Sequence, residues 1–241
     1  MKTWQKVGLA TLLVLVVFSI RIYFLWKERH EPMVQKPQQQ QQQMLTDDDI
    51  VTPRKLYIDD LKSAKVLVGK TIWVQAGFEL DYFPYAGHSV NFAHKVGVLP
   101  SVQALEIKDI ALAKAPASIA SRIPLGDKQV YAVFTMPGDT KQYATAIGSM
   151  QGTDSTYYCD DIFYYDDPHQ MYKHWPADVW QAVDQHQPKP GMNELEVAMA
   201  LGVIQQSDSS SYGNRTVHYD AGGKQWNVSF QHDKATNVQA Q

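Results

Sequence analysis

Carboxylate and imidazole side chains are concentrated in one short stretch beyond the middle of the chain. Together, such groups can bind a divalent cation, or they can supply the acid and the base of a hydrolytic reaction. Their spacing matches no established metal loop, because the glycine and the final glutamate of an EF-hand are missing. The same residues also fit an acidic, tyrosine-rimmed loop that leads into a helix. The six candidate residues are Asp160, Asp161, Asp166, Asp167, His169 and His174.

A short aromatic group forms a second candidate site. Tyr82, Phe83 and Tyr85 lie almost consecutively around Pro84, and together they could form an exposed lip that binds a ligand. Packing of the same rings inside a core is the alternative, because large aromatic side chains contribute strongly to cores as well as to binding surfaces. The sequence leaves both interpretations open.

Catalytic motifs elsewhere in the chain are incomplete. Gly69-Lys70-Thr71 resembles the end of a phosphate-binding loop, but the earlier glycine is absent and a strand pattern follows it. Ser89 lacks the second glycine of a nucleophile elbow. Cys159 lies beside two acids, which would raise the pKa of its thiol and discourage thiolate chemistry. These motifs therefore give no support to an enzymatic function.

The N-terminal part of the chain contains a long apolar segment that precedes all the candidate site residues. Residues 7–26 are apolar apart from Arg21, and as a helix they would extend roughly 30 Å, about the thickness of a bilayer core. Bulky residues occupy the place where a signal peptidase requires small ones. We therefore predict an uncleaved signal anchor within residues 1–29 and a single-pass membrane protein.

The charges that flank this anchor do not fix its orientation. Lys2 and Lys6 precede the apolar segment, and Lys27 and Arg29 follow it, so the positive-inside rule favours neither side. A short N-terminal tail is typical of a signal anchor that exports the remainder of the chain. We expect an extracytoplasmic, periplasmic body, and a body that faces the cytoplasm is the alternative.

A polar linker separates the anchor from the body. Residues 30–49 include the tract Gln38 to Gln43 and contain too little apolar surface to offset the entropy of ordering. The whole chain has a formal net charge of −3, and it has no basic patch beyond the membrane flanks. We therefore expect a flexible spacer, a membrane as one partner, and no nucleic acid.

The body is predicted to be α+β, with a β-rich domain at residues 50–165 and an α+β module at residues 166–241. Gln129 to Phe134 is the clearest strand pattern, and a helix is possible around Ala113 to Ser121. In the module, Trp175-Pro176-Ala177 is typical of a helix start. The remaining elements are a second helix with an Asn193–Glu196 capping box that ends at Gly202, and strands at Arg215–Tyr219 and Lys224–Phe230.

The second helix carries a recognisable pattern. From Gly191-Met192 through Val197 to Leu201-Gly202, the chain resembles the GM-x-x-x-x-V-x-x-x-LG signature of outer-membrane-assembly lipoproteins of the SmpA/OmlA type. The resemblance covers residues 175–238. It implies two helices packed on a short antiparallel sheet, and a non-catalytic binding or scaffold role. This chain departs from the family by having a predicted membrane helix in place of a lipidated cysteine.

These observations favour a single-pass, membrane-anchored, non-catalytic binding or scaffold protein of the cell envelope. Its partner would be a protein or another envelope component, and no cofactor is expected. The alternative is a metal-dependent envelope hydrolase that uses the acidic and histidine residues between Asp160 and His174.

Overall fold

The structure is a computed structural model that describes Arg21, Tyr23 and residues 46–241. Apart from those two residues, the predicted anchor lies outside the described residues, as does the predicted linker up to residue 45. Among the described residues, no helix is long and apolar enough to cross a membrane. Residues 46–241 carry two antiparallel sheets and a few short helices, so the body is α+β as predicted.

The first sheet is built from nine antiparallel strands, and its spatial order is β3-β2-β7-β6-β5-β1-β9. Strands β4 and β8 lie off this path, where β4 pairs with β2 and β8 pairs with β7. The bounds of these strands are β1 Thr71–Val74, β2 Asp81–Ala86, β3 Ser89–Val90, β4 Gly97–Val98, β5 Ala104–Ala113, β6 Lys128–Thr135, β7 Tyr143–Gln151, β8 Asp154–Tyr157 and β9 Phe163–Tyr164.

Strand β6 lies at the centre of this sheet and is buried on both faces. Val130 and Phe134 pack into one hydrophobic cluster, whereas Tyr131 and Val133 pack into another on the opposite face. This division follows from the alternation of side chains along a strand. A strand buried on both faces is nearly continuously apolar, which explains why this segment gave the clearest strand pattern in the sequence.

Five short helices are described, and two of them form the C-terminal module. Helix α5 has Asn193 as its N-cap with the reciprocal Glu196 bond of a capping box, and Gly202 is its C-cap, as predicted. Helix α4 begins within the predicted helix start, at Ala177, with Pro176 as its N-cap. The bounds are α1 Leu61–Ala64, α2 Cys159–Ile162, α3 Pro168–Met171, α4 Ala177–Asp184 and α5 Glu194–Leu201. Two short 3-10 turns are found at Asp47–Ile50 and Lys65–Leu67.

The second sheet has four strands in the sequential order β10-β11-β12-β13. Its two central strands were predicted, and a further strand lies on each side of them. One face packs against α4 and α5 through side chains that include Val217, Tyr219 and Val228, all with no exposed surface. The bounds are β10 Ile204–Ser207, β11 Thr216–Ala221, β12 Lys224–Gln231 and β13 Lys234–Ala240.

The helix considered around residues 113–121 is not formed. Strand β5 continues to Ala113, and the residues after it form an irregular segment with one turn. Pro116 explains the difference, since a proline disfavours helical backbone at the preceding residue and cannot donate a helical hydrogen bond. The buried side chain of Ala115 and the partly buried Ile119 instead hold this segment against the body.

Candidate binding groove

The acidic and histidine residues that the sequence singled out are divided among several separate contacts. Asp160 lies in α2, where its carboxylate accepts hydrogen bonds from the backbone N–H groups of Leu56 at 3.0 Å and Tyr57 at 2.9 Å. The hydroxyl of Tyr165 donates to the same carboxylate at 2.7 Å. Partial burial alone would raise the pKa of Asp160, but these hydrogen bonds outweigh it and lower the pKa. The contacts of Asp160 therefore fasten the segment before α1 to the first sheet.

The remaining carboxylates of the stretch face different directions. Asp161 is exposed, and Asp166 forms a surface ion pair with Arg54 at 3.0 Å. Asp167 is the N-cap of α3 and accepts a hydrogen bond from the backbone N–H of His169. Within the described residues, no group of three or more His, Cys, Asp or Glu side chains is arranged to hold a metal ion.

The aromatic lip predicted on β2 is divided between the two faces of its strand. Tyr82 packs against Phe134 and Tyr143 on one face, with ring centroids 6.2 and 5.4 Å away. Phe83 is 3% exposed and contacts Phe92 edge-on at 5.4 Å, within the cluster on the other face. Tyr85 packs at the margin of that second cluster. The strand thus buries Phe83 and packs the partly exposed Tyr82 and Tyr85 against two separate cores.

A different set of rings comes together on the C-terminal module. His169 in α3 stacks on Trp180 in α4, with centroids 4.0 Å apart and planes inclined by 25°. Trp180 lies 5.1 Å from Trp175, which stacks on Tyr172 at 4.6 Å. Helix α4 begins at Ala177, two residues after Trp175, so the turn between α3 and α4 brings all four rings into one row.

Three of these rings, His169, Trp175 and Trp180, form the floor of an open groove with a volume of about 600 Å³, and Tyr172 packs beside them outside the groove lining. Such a volume lies within the usual range for ligand sites, although the groove is shallow and opens widely to solvent. Exposed polar side chains form its rim, where amide, carboxylate and ammonium groups can all make hydrogen bonds. The rim residues are Lys173, Gln181, Asp184 and Gln185.

The polar groups of the groove are balanced in charge. His169 lies between two carboxylates, with Nδ1 at 3.2 Å from Asp167 and Nε2 at 3.1 Å from Asp184. Lys173 has no ion-pair partner among the residues that the structure describes. The groove therefore combines an apolar floor with groups of both charges, an arrangement that suits contact with a polar partner.

The carboxylate of Asp48, near the start of the described body, contacts the residues that hold the groove floor in place. Oδ1 of Asp48 accepts hydrogen bonds from Nε1 of Trp175 and lies close to Nε2 of His174, both at 2.6 Å. Oδ2 of Asp48 accepts a further bond from the side-chain amide of Asn193 at 2.7 Å. One acidic side chain thus joins the 3-10 turn at Asp47–Ile50 to both helices of the module.

The chain matches no protein-family model, no curated protein and no solved structure. The resemblance of residues 175–238 to the SmpA/OmlA type therefore depends only on the residues quoted for it above. Any function must be argued from the geometry of the groove and from the elements that present it.

Sequence reasoning found part of this groove and missed the rest. His169 and His174 were singled out as metal ligands, whereas the structure places them beside rings and carboxylates. Trp180 and Asp184 were not singled out, although three large aromatic residues within nine positions gave a usable signal at this place. Asp48 had no such signal, because its partners lie 126 to 145 positions away.

Proposed function

We propose that this protein is a single-pass, membrane-anchored, non-catalytic binding or scaffold protein of the cell envelope. Residues 7–26 would hold it in the membrane. Residues 30–45 would separate the body from the bilayer, because residues 46–49 of the predicted linker belong to the folded body. The groove on the C-terminal module would be the contact site for a protein partner. The row of rings beneath the groove is the observation on which this proposal depends most.

The chemistry of the groove supports contact with another protein. Tryptophan and tyrosine are enriched in the centres of protein interfaces, where they combine a large contact area with a polar atom. Here the indole N–H groups of Trp175 and Trp180 are already bonded to Asp48 and to the carbonyl of Tyr172. Those bonds hold the rings in place, so a partner would meet a preorganised surface and lose less entropy on binding.

The separation of the acidic and histidine residues also supports a binding role over the hydrolase alternative. Asp160, Asp167 and His174 are each committed to a contact that holds the fold together. We further propose that residues 166–241 act as the binding module of the chain, as the resemblance to the SmpA/OmlA type implies.

Site-specific photo-crosslinking of the full chain in its native membrane tests the groove. A photoreactive amino acid in place of Gln181 on the rim should give a discrete crosslinked product. The same amino acid in place of Thr153, an exposed residue in a turn of the first sheet, should not give that product. Lys173→Ala together with Gln185→Ala should lower the yield at position 181. Equal products at both positions would contradict the proposal.

The predicted location can be tested with a single introduced thiol. Cys159 is the only cysteine of the chain and is 1% exposed, and burial raises the pKa of its thiol to about 12. It should therefore remain unlabelled in the folded protein. In a Ser118→Cys variant, the exposed new thiol should react with a membrane-impermeant maleimide from the extracytoplasmic side. Labelling only after the inner membrane is lysed would support a cytoplasm-facing body instead.

A further inference from the structure

A long irregular segment connects β5 to β6 in the first sheet. Residues 114–127, which we call the strap, contain neither a helix nor a strand. Strands β5 and β6 are antiparallel neighbours, so a short turn would be enough to join them. Irregular loops longer than about 12–15 residues are uncommon in compact domains, and many of them are lids or binding loops. The length of the strap therefore indicates a role beyond connection.

The strap folds back over the face of the first sheet that carries Tyr131 and Val133. Ile123 of the strap is 2% exposed and packs into the hydrophobic cluster on this face, and the half-buried Ile119 packs against the same cluster. Of the other strap residues only Ala115 is buried, and most are exposed. The strap thus covers part of an apolar surface while contributing few apolar side chains of its own.

Few backbone hydrogen bonds join the strap to the sheet. Within the described residues 46–241, the only backbone–backbone bond between them is at the very end of the strap, from the N–H of Asp127 to the carbonyl of Met150 at 2.8 Å. A bond from the N–H of Ile119 to the carbonyl of Pro116 closes a turn inside the strap. Lifting the strap would therefore leave the ladder between β5 and β6 intact.

One buried side chain of the sheet holds the strap in place. Gln129, near the start of β6, has no exposed surface. Its Nε2 donates to the carbonyls of Ile123 at 2.8 Å and Pro124 at 3.2 Å, and it also lies 3.2 Å from the hydroxyl of Ser121. Its Oε1 accepts a hydrogen bond from the hydroxyl of Tyr131. Most polar contacts of the strap with the sheet thus converge on one amide.

The remaining contacts of the strap are loose. Arg122 forms an ion pair with Glu79 at 3.4 Å, but both side chains are partly exposed, and such surface pairs contribute little to stability. A small cavity of about 10 Å³ remains between the strap and the sheet, so the two surfaces do not fit completely. The apolar residues that line it include Ile119 and Ile123 of the strap and Phe83, Tyr131 and Ala146 of the sheet.

We propose that the strap is a lid that lifts from the first sheet while the sheet stays folded, and that Gln129 is its latch. Local opening of this kind occurs in segments with few buried apolar contacts and few backbone bonds to their surroundings. Lifting uncovers the amide of Gln129 and the hydroxyl of Tyr131 within an apolar surface that the closed strap hides from solvent. This lid is separate from the groove and does not depend on the function proposed for it.

Thiol labelling of the full chain, folded and solubilised in detergent, measures how often each face of the sheet is uncovered. Ala146→Cys places a thiol under the strap, where Ala146 is 7% exposed and lines the cavity. Ala132→Cys is the matched control, because Ala132 has no exposed surface and packs into the cluster on the opposite face. Both variants keep the buried Cys159, and mass spectrometry of peptides identifies the labelled position. We expect the thiol at position 146 to react faster by a factor of about ten or more, with a weaker dependence on urea.

Two second-site variants separate lifting of the strap from unfolding of the body. Gln129→Leu removes the latch at similar side-chain size, and it should raise the labelling rate at position 146 by about tenfold, because more than one hydrogen bond is lost from the closed state. Gly69→Ala should weaken the whole body, since Gly69 has φ at +81°, but its new Cβ would have no neighbour within 4 Å. It should raise the rate at position 132 and leave the rate at position 146 unchanged, because the closed and lifted states are destabilised equally.

Equal labelling rates at positions 146 and 132 would overturn the proposal, since the covered face would then be reached only by global unfolding. The same conclusion would follow if Gly69→Ala raised both rates by the same factor. A rate at position 146 that Gln129→Leu leaves unchanged would show that the amide is not a latch. The comparison of the two thiols does not require the Gln129→Leu variant to fold.

Discussion

Oδ1 of Asp48 lies 2.6 Å from Nε1 of Trp175, so the first turn of the described body is bonded directly to the floor of the groove. The side chain of Asp48 is only 14% exposed and also accepts a bond from Asn193. Groups from two separate segments, His174 with Trp175 and Asn193, thus meet on one carboxylate. The position of the groove is thereby linked to the point at which the chain enters the body.

Replacing this carboxylate should weaken the whole C-terminal module. Asp48→Ala leaves the indole N–H of Trp175 and the amide of Asn193 without acceptors in a partly buried place. Hydrogen bonds to charged groups contribute more than neutral ones, so we expect a loss of about 2–4 kcal/mol in the free energy of unfolding. Urea unfolding followed by tryptophan fluorescence measures this loss, since the affected ring is itself the reporter.

The neighbouring acid provides a matched control for that measurement. Asp47 is exposed, belongs to the same 3-10 turn and makes no described side-chain bond, so Asp47→Ala should change stability by less than about 0.5 kcal/mol. Equal losses in the two variants would show that the turn itself matters, and that the three bonds of Asp48 do not.

Breaking the buried ion pair between Glu194 and Arg215 should lower the free energy of unfolding more than breaking a surface ion pair does. The Glu194 side chain is 1% exposed, and it accepts bonds from Nε of Arg215 at 2.9 Å and from the backbone N–H of Gly213 at 2.8 Å. Arg215→Ala leaves that carboxylate buried without its counter-charge. We expect a loss of about 3–5 kcal/mol in the free energy of unfolding.

A double-mutant cycle separates the free energy of the Glu194–Arg215 ion pair from the cost of leaving the Glu194 carboxylate buried without a counter-charge. Glu194→Gln/Arg215→Ala should be less destabilised than Arg215→Ala alone, because a neutral amide is easier to bury than an uncompensated charge. Strictly additive losses in thermal or urea unfolding would contradict this account of the pair.

The parts of this fold that local chemistry determines could be predicted from the sequence. Helix α5 was predicted with its cap and its end because Asn193, Glu196 and Gly202 act within one or two helical turns. Strand β6 was predicted because burial on both faces makes it apolar from Val130 to Phe134. The helix considered possible at residues 113–121 does not form, because Pro116 disfavours helical backbone within that segment.

The candidate site could not be predicted to the same extent, because it is built from long-range contacts. His169 was predicted as a metal ligand of the hydrolase alternative. Its stacking on Trp180 depends on the turn that connects α3 to α4, which the sequence pattern does not show. The flanking strands β10 and β13 of the second sheet were missed as well, because their patterns are too polar to stand out.

The stability of the module should depend on pH through Glu196. Burial raises the pKa of this carboxyl above 4.5, and the nearby carboxylates of Asp48 and Asp233 act in the same direction. A raised folded pKa favours the protonated form, so this contribution is complete below the unfolded pKa and is lost as the pH rises through the folded pKa. Glu196→Gln keeps an acceptor for the Asn193 N–H, and it should gain stability relative to wild type between about pH 4.5 and about pH 7.

Glu106 is the matched control for this pH dependence. A hydrogen bond from Lys108 and its charge lower the pKa of Glu106, which is the opposite direction. Glu106→Gln should therefore show no relative gain as the pH rises, in urea unfolding measured over the same pH range. A difference between Glu196→Gln and wild type that stays constant with pH would contradict the assignment of a raised pKa to Glu196.

Replacing Gly202, the glycine that ends α5, should be costly for two reasons: its backbone conformation and its close approach to Gly77. Gly202 has φ at +83° and ψ at −145°, a backbone conformation that lies outside the left-handed helical region and is essentially restricted to glycine, and a Cβ there would overlap the carbonyl oxygen of Gly77. Gly69 has nearly the same φ, +81°, but a Cβ there would have no neighbour within 4 Å. Left-handed backbone alone costs a non-glycine residue about 1–2 kcal/mol, so Gly69→Ala should lose about that much. Gly202→Ala should lose clearly more in the same urea titration, because its backbone conformation is less accessible to alanine and because the backbone must also move away from Gly77. Equal losses in the two variants would contradict both of these costs.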